Sequence, residues 1–221
     1  MTDTVKKLVE DSGFPGMKVI EFAFDSREDS DYLPHTYDKN CVVYTGTHDN
    51  ETVRGWYENL NKDDKAKSVE YMNNKSTPLS EIHWDFIRLT MLSVADTCII
   101  PIQDYLGLGN EARINTPSTI GNNWHWRMLE DEITDELVEK IYNRVMCGMG
   151  FIALHSAHFS KPFKRLMGST CSLKWRDGDR ERLWCVLPSH EIAKDVPEQI
   201  VIPVEEMYGE RFDVPTPDEL I

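Results

Sequence analysis

The sequence predicts an α/β fold in which short parallel strands, covered on both faces, alternate with helices. Three observations predict it. Two runs, Met17 to Phe24 (MKVIEFAF) and Cys41 to Gly46 (CVVYTG), are almost unbroken in apolar character, as strands buried on both sides are. A third run, TCIIPIQDYLGLG from Thr97, reads as another buried strand leading into a Gly-punctuated loop. Helical segments precede the first run and separate the second from the third, and the order helix, strand, loop, strand, helices, strand is that of repeated β/α units.

Taken in order, TDTVKKLVEDSG supplies Thr2 as a possible cap, Val5, Leu8 and Val9 on one face, and Gly13 as a stop, which specifies a short helix. The first two strands follow. A helical stretch runs from Thr52 to Asn73 and ends in NNKSTP; the next helix carries Ile82, Phe86, Leu89 and Val94 near helical spacing, with Ser80 as a candidate cap. After about Trp126 the character changes. DEITDELVEKIYNRVM has an acidic first turn (Asp131, Glu132, Asp135, Glu136) and Lys140 and Arg144 towards its end, which suits the dipole of an amphipathic helix. A short strand (FIAL), a turn with His155 and His158, and a basic segment come next, and Pro-rich extended stretches dominate from Cys171 onward. No internal repeat or low-complexity tract is present.

With 221 residues and 40% hydrophobic content the chain can bury a core, and its formal net charge of -14 disfavours nucleic acid and anionic membrane surfaces as partners. Neutral ligands are the default expectation. The first residues lack the apolar core of a secretory signal and no run is long enough for a membrane span, so a cytoplasmic location is expected. Five cysteines stand singly with wide gaps, which argues for reduced, partly buried thiols and against a disulfide framework or a zinc ribbon.

The chemistry is expected at the carboxyl ends of the strands, where the loops of parallel β/α units converge. Asp25, the Thr47-His48-Asp49-Asn50 cluster and the QDYLGLG segment all fall there. A carboxylate beside an imidazole can hydrogen-bond a polyhydroxylated ligand and stabilise positive charge developing on it, as a glycosyl transition state requires. The bland alternative is a turn, because Asp and Asn also satisfy nearby backbone groups. Trp56, Trp84, Trp124 and Trp126 could stack on sugars or fill the core. Asp25, Glu51, Asp96 and Asp104 carry no spacing that marks a nucleophile and acid pair, and loop acids are ordinarily solvated.

GFPGMKVIEFAFD, YLPHTYDKNCVVYTGTHDNETVRGWY and IPIQDYLGLGNEARINTPSTIGNNWHWR together resemble the carboxyl-terminal part of the 4-α-glucanotransferases (amylomaltases, disproportionating enzymes) of glycoside hydrolase family 77, over residues 1–133. The resemblance implies the last three or so β/α units of a (β/α)8 barrel. It implies cleavage of α-1,4-glucan or maltooligosaccharide with retention, through a covalent glycosyl-enzyme, and transfer to another sugar, without a cofactor or metal. It makes Asp49 the third catalytic carboxylate, holding the sugar at the cleavage site, and His48 its substrate-binding neighbour. Retaining transfer also needs a nucleophile and an acid/base carboxylate roughly 5 Å apart; in the family both lie upstream of the matching segment, so the chain alone is expected to be inactive. The open sheet edges of a partial barrel are expected to self-associate.

Residues 134–221 resemble an internal piece of a ThuA-like (trehalose-utilisation) protein, which implies a partial flavodoxin-like α/β segment, similar to class I amidotransferases. FIAL is not followed by the nucleophilic Cys of such enzymes, so no glutaminase is expected, and His155 and His158 lack a third ligand for a metal site. Two families meeting near EDEITDELVEK suggest a fused reading frame. The alternatives to a glucanotransferase are therefore a non-catalytic remnant with residual sugar binding, and a ThuA-like trehalose-utilisation protein.

Overall fold

A computed structural model describes residues 3–129, 131–207 and 211–221. The chain divides into two compact units, Met1–Glu132 and Ile133–Ile221.

The first unit opens with helix α1 (Asp3–Ser12), closed by Gly13 in the left-handed region at φ 69°. Thr2, the expected cap, lies outside the described residues. Strands β1 (Gly16–Val19), β2 (Cys41–Tyr44) and β3 (Thr97–Ile99) form a parallel three-stranded sheet in the order β1-β2-β3, with Gly16 opposite Cys41 and Tyr44 opposite Ile99. The first apolar run is a strand only to Val19. It then bends into a 3-10 turn at Ile20–Phe22, which turns Ile20 and Phe24 into the core and rests Glu21 on the end of β2, its N–H donating to the Thr45 carbonyl at 3.3 Å.

The stretch from Thr52 to Asn73 is two helices, α2 (Val53–Asn59) and α3 (Lys62–Met72). Each has its own cap. Thr52 Oγ1 accepts from Gly55 N at 3.1 Å, and Asn61 Oδ1 accepts from Asp63 N and Asp64 N at 2.9 Å each, so the chain restarts a helix at Asn61. Asn73 ends α3 in the left-handed conformation at φ 51°. Helix α4 (Ile82–Met91) grows out of a 3-10 turn at Leu79–Glu81 that contains Ser80, which does not cap it, and Val94 lies beyond its end. After β3 comes the single turn α5 (Ile102–Tyr105).

The core lies between the sheet and α2 and α4. Cys41 and Val43 of β2 point into it, where Phe24, Trp56 and Phe86 meet edge to face or tilted, with ring centroids 5.3 to 6.2 Å apart. The sheet is not covered on both faces as expected. Val42 and Tyr44 are half-buried, Met17 is exposed, and all three residues of β3 are exposed, because β1 and β3 are the edges of a narrow sheet and their outer side chains have no further strand to pack on.

In the second unit, helix α6 (Asp135–Met146) starts at Thr134, whose Oγ1 accepts from Leu137 N at 3.3 Å. Its first turn holds Asp135 and Glu136, with Asp131 and Glu132 ahead of the helix. Helix α7 (Lys161–Met167) is capped by Ser160 and stopped by Gly168 at φ 65°. Arg165 of α7 pairs with Glu139 at 2.5 Å and lies 3.7 Å from the centre of the Tyr142 ring. Strands β4 (Arg176–Trp184) and β5 (Gln199–Met207) form an antiparallel ribbon with an irregular register near Asp179. The FIAL run forms no strand: Ile152 and Leu154 are exposed, and it leads into a 3-10 turn at His155–Phe159. The described residues of this unit therefore form a helix pair and an antiparallel ribbon, without the parallel strands of a flavodoxin-like segment. An apolar run becomes a strand only when a neighbour accepts its hydrogen bonds, and residues 151–154 have none among the described residues.

The thiols are free: Cys41 and Cys171 are buried, Cys185 is half-buried, and Cys98 and Cys147 are exposed. Among the described residues no helix is long and apolar enough to cross a membrane.

Phe86 is fully buried at the centre of the aromatic cluster. Truncating it in Phe86→Ala removes its contacts with Phe24, Trp56 and Tyr57 and is expected to cost about 3–5 kcal/mol, read as a lower urea midpoint for the first unit.

Candidate active site

Strand β2 delivers residues 45–52 to the carboxyl end of the sheet, and this loop is held from both sides. On one side stands Asp104 in α5. Its Oδ2 accepts from the fully buried Thr45 hydroxyl at 2.5 Å, and its Oδ1 accepts from the N–H of Val53, the first residue of α2, at 2.9 Å. One carboxyl thus ties the end of a strand to the start of the next helix. Burial pushes that carboxyl up to about 6, against the lowering effect of the Thr45 and Val53 hydrogen bonds.

On the other side stands Glu21, 8% exposed, with Oε1 lacking a hydrogen-bond partner among the described residues. Burial first, and then the negative charge of Asp104, push it up to about 9; a hydrogen bond with Asn50 opposes this, Glu51 adds to it and Arg113 reduces it. Its carboxyl packs on the backbone of Gly46, where an added Cβ would lie 2.5 Å from Oε1. A larger residue there would have to push the Glu21 carboxyl aside.

Between these supports the loop closes on itself. Asn50 Oδ1 accepts from Thr47 N at 3.0 Å and Thr47 Oγ1 at 2.7 Å, while the Asp49 N–H donates to Thr47 Oγ1 at 3.3 Å. The turn expected of this cluster is present: Thr47 and Asn50 build it, and it presents His48 and Asp49. Both side chains are about half exposed, with His48 Nε2 3.4 Å from Asp49 Oδ1.

Residues 113–124 buttress them. Asn115 Nδ2 donates to Asp49 Oδ1 at 2.6 Å, Asn115 N donates to the His48 carbonyl at 3.1 Å, and an Arg113 Nη donates to the Asp49 carbonyl at 2.7 Å. The Trp124 ring lies 5.3 Å from the imidazole of His48, tilted by 36°. Trp124 takes the left-handed conformation at φ 67°, uncommon for a bulky residue, and its N–H donates to the Ile114 carbonyl at 2.7 Å. Asp49 Oδ2 makes no hydrogen bond among the described residues. An accepting carboxylate, an imidazole, an amide and an exposed indole in one patch are the groups that bind hydroxyls and stack on a sugar ring.

The remaining sequence candidates sort cleanly. Asp25 faces Arg27 in a bidentate pair at 2.8 and 2.6 Å, whose hydrogen bonds hold it well below the usual carboxylate range, and Asp96 lies 3.6 Å from Lys39. Glu51 Oε1 accepts from Asn59 Nδ2 at 2.7 Å and Asn110 Nδ2 at 2.5 Å, so it braces the loop. Asp104 corrects the expectation of a solvated loop acid, since it is 2% exposed. Trp56 belongs to the core, Trp84 is half-buried with its ring edge-on to Tyr105, and Trp126 is half-buried; Trp124 alone of the four is exposed. His158 is packed against Phe159 and Phe212, and the side chain of His155 lies outside the described residues. Glu21, Arg113 and Asn115 were not anticipated. A single acid inside the apolar run VIEFAF was the available signal for Glu21; the other two sit in irregular chain and carry none.

The sequence profile of 4-alpha-glucanotransferase matches residues 1–133. A 4-alpha-glucanotransferase of Clostridium butyricum is 51% identical over 143 residues, covering 64% of this chain and 29% of that protein. One from Synechocystis is 45% identical over 138 residues, covering 62% and 27%. Among solved structures, the amylomaltase of Streptococcus agalactiae in complex with acarbose is similar with a TM-score of 0.58 at 37% identity, over 62% of this chain and 28% of that one. The chain thus spans less than a third of the length of these relatives.

Both Asp104 and Glu21 sit above their unfolded values, at about 6 and about 9, so their contribution to stability is fully present at low pH and is lost as pH rises through those values. The first unit should therefore lose stability from about pH 4 to about pH 9, with a loss from Glu21 on the order of 3 kcal/mol by neutrality. Urea midpoints of Glu21→Gln against the parent chain across that range check this: the variant gains progressively at higher pH, and a constant difference would refute the assignment. Asp104→Ala strips partners from Thr45 and Val53 and should cost about 2–4 kcal/mol.

Proposed function

Since this chain belongs to the 4-alpha-glucanotransferase family through residues 1–133, we propose that it presents the sugar-holding carboxylate of a retaining α-1,4-glucan transfer site. In this reading Asp49 accepts hydrogen bonds from the hydroxyls of the sugar at the cleavage point and stabilises positive charge on its ring, and His48 binds the same sugar. The observation that carries it is the outward pairing of His48 and Asp49 on a loop clamped by Asp104, Glu21 and Asn115. The substrates are maltooligosaccharides or α-1,4-glucan, and the setting is the cytoplasm.

The three parallel strands correspond, on this proposal, to the last units of a (β/α)8 barrel. The nucleophile and acid/base carboxylates belong to the part of the family's barrel that precedes this segment, so the 221 residues alone bind glucan without turning it over. Exposed Met17 on β1 and Ile99 on β3 mark the two open edges, through which we expect self-association or pairing with a complementing barrel fragment. The reading that places the function in residues 134–221 has no comparable cluster behind it among the described residues.

Two measurements test this. Incubated with maltotriose, the purified chain should give no ladder of longer products; a ladder that disappears in Asp49→Ala would overturn the claim of inactivity. Maltotriose should still perturb the resonances of His48 and Asp49, with affinity falling about tenfold in Asp49→Ala for one lost charge-assisted hydrogen-bonding group. Absence of any perturbation at saturating sugar would sink the sugar-binding reading. Light scattering after gel filtration should show mass rising with concentration, and falling when Met17→Lys places a charge on the β1 edge.

A further inference from the structure

Glu21 is the buried group that the proposed chemistry leaves without a task. It lies one residue into the turn after β1, away from the exposed patch, yet every connection it makes leads to the loop that carries Asp49. Its N–H donates to the Thr45 carbonyl at 3.3 Å. Its carboxyl fills the space over Gly46, where a Cβ would also come within 3.2 Å of Asn50 Cβ. Asn50 meets the Glu21 carboxyl over Gly46 and opposes the upward shift of its pKa. From Asn50 the path continues without a gap, since Asn50 Oδ1 holds both the N–H and the hydroxyl of Thr47, and Thr47 Oγ1 holds the N–H of Asp49.

We propose that Glu21 is a positioning residue for Asp49, acting through Asn50 and Thr47, and that it holds the loop in place only while its carboxyl is neutral. The value of that position rests on the reading of Asp49 as the sugar-holding carboxylate. The groups that face Glu21 explain the condition. Asp104 from α5 and Glu51 from the loop bring negative charge, and Arg113 from the segment after Ala112 brings the opposing positive charge. An ionised Glu21 adds a further negative charge in a place where Oε1 lies against Gly46 and has no hydrogen-bond partner among the described residues. The chain relieves this by swinging Asn50 and the loop outward, which admits water to the carboxylate and displaces Asp49. A carboxyl pushed up to about 9 makes this change occur on the alkaline side of neutrality.

The test uses the full 221-residue chain labelled with carbon-13 and followed by carbon-detected NMR, which does not depend on amide protons that exchange at high pH. Between about pH 6 and about pH 11, the Glu21 side-chain carboxyl carbon and the backbone carbonyls of Asp49 and Asn50 should move in one step with a common midpoint near 9. Glu21→Gln, which keeps the shape and the neutral state, should abolish the step and leave Asp49 at its neutral-pH position throughout. Asp104→Asn should keep the step and move its midpoint down, because one facing charge is gone. Different midpoints for Glu21 and Asp49 in the parent chain would overturn the proposal whether or not a variant folds, and so would a step at Asp49 that survives Glu21→Gln. Adding maltotriose separates the two claims. Co-titration without any response to the sugar supports the role of Glu21 and removes the sugar-binding reading; a response at Asp49 without co-titration does the reverse.

Discussion

The two hydrogen bonds accepted by the Asp104 carboxyl are the constraint on which the rest of the first unit depends. A parallel strand and the helix that follows it have no obligatory geometry, because the loop between them can leave at many angles. Asp104 removes that freedom by holding the first residue after β2, Thr45, and the first N–H of α2 at once. The helix start is a place where N–H groups lack intrahelical partners, so the carboxyl satisfies a group that would otherwise need water. With both ends of residues 45–52 pinned, the loop can be short, and the side chains between the pins can face outward without collapsing onto the sheet.

This arrangement gathers acids in a chain that is already strongly acidic. Glu21, Asp104 and Glu51 stand near one another around the same loop, and the first two are raised by burial well above the usual carboxylate range. Such a cluster is tolerated because its members differ in state. Asp104 is compensated by two donors and Glu51 by two side-chain amides, whereas Glu21 stays neutral. Keeping one member uncharged limits the repulsion on the loop and leaves Asp49 as its exposed carboxylate, the group proposed to meet a sugar. The acids that support the loop and the acid it presents therefore have different environments around one short loop.

The edges of the sheet show the opposite situation. β2 lies between two neighbours and buries Cys41 and Val43, while the residues of β3 remain exposed although they belong to an equally apolar run. The apolar pattern of a strand records the environment for which it was selected. In this chain that environment is only partly supplied from within, in keeping with a segment that spans less than a third of its relatives. The FIAL run of the second unit makes the same point: strong local preference for a strand, and no partner to form one among the described residues.

By itself the sequence determined the order of β/α elements, the family through its long motifs, and the loop GTHDN as the place where a carboxylate and an imidazole meet, because periodicity and contiguous motifs are local properties. Of the punctuation it named, Gly13 closes α1 while Ser80 does not cap α4, and Asn61 as a second start was hidden inside one long helical pattern. Only the tertiary structure decided which acids are buried, which tryptophan faces out, and what holds Asp49. Those answers lie in contacts such as Thr45 with Asp104, 59 residues apart, and Asp49 with Asn115, 66 residues apart. A carboxyl group in a sequence has no dielectric until the fold surrounds it, so the neutral Glu21, the bridging Asp104 and the exposed Asp49 could be told apart only after the chain had closed around two of them.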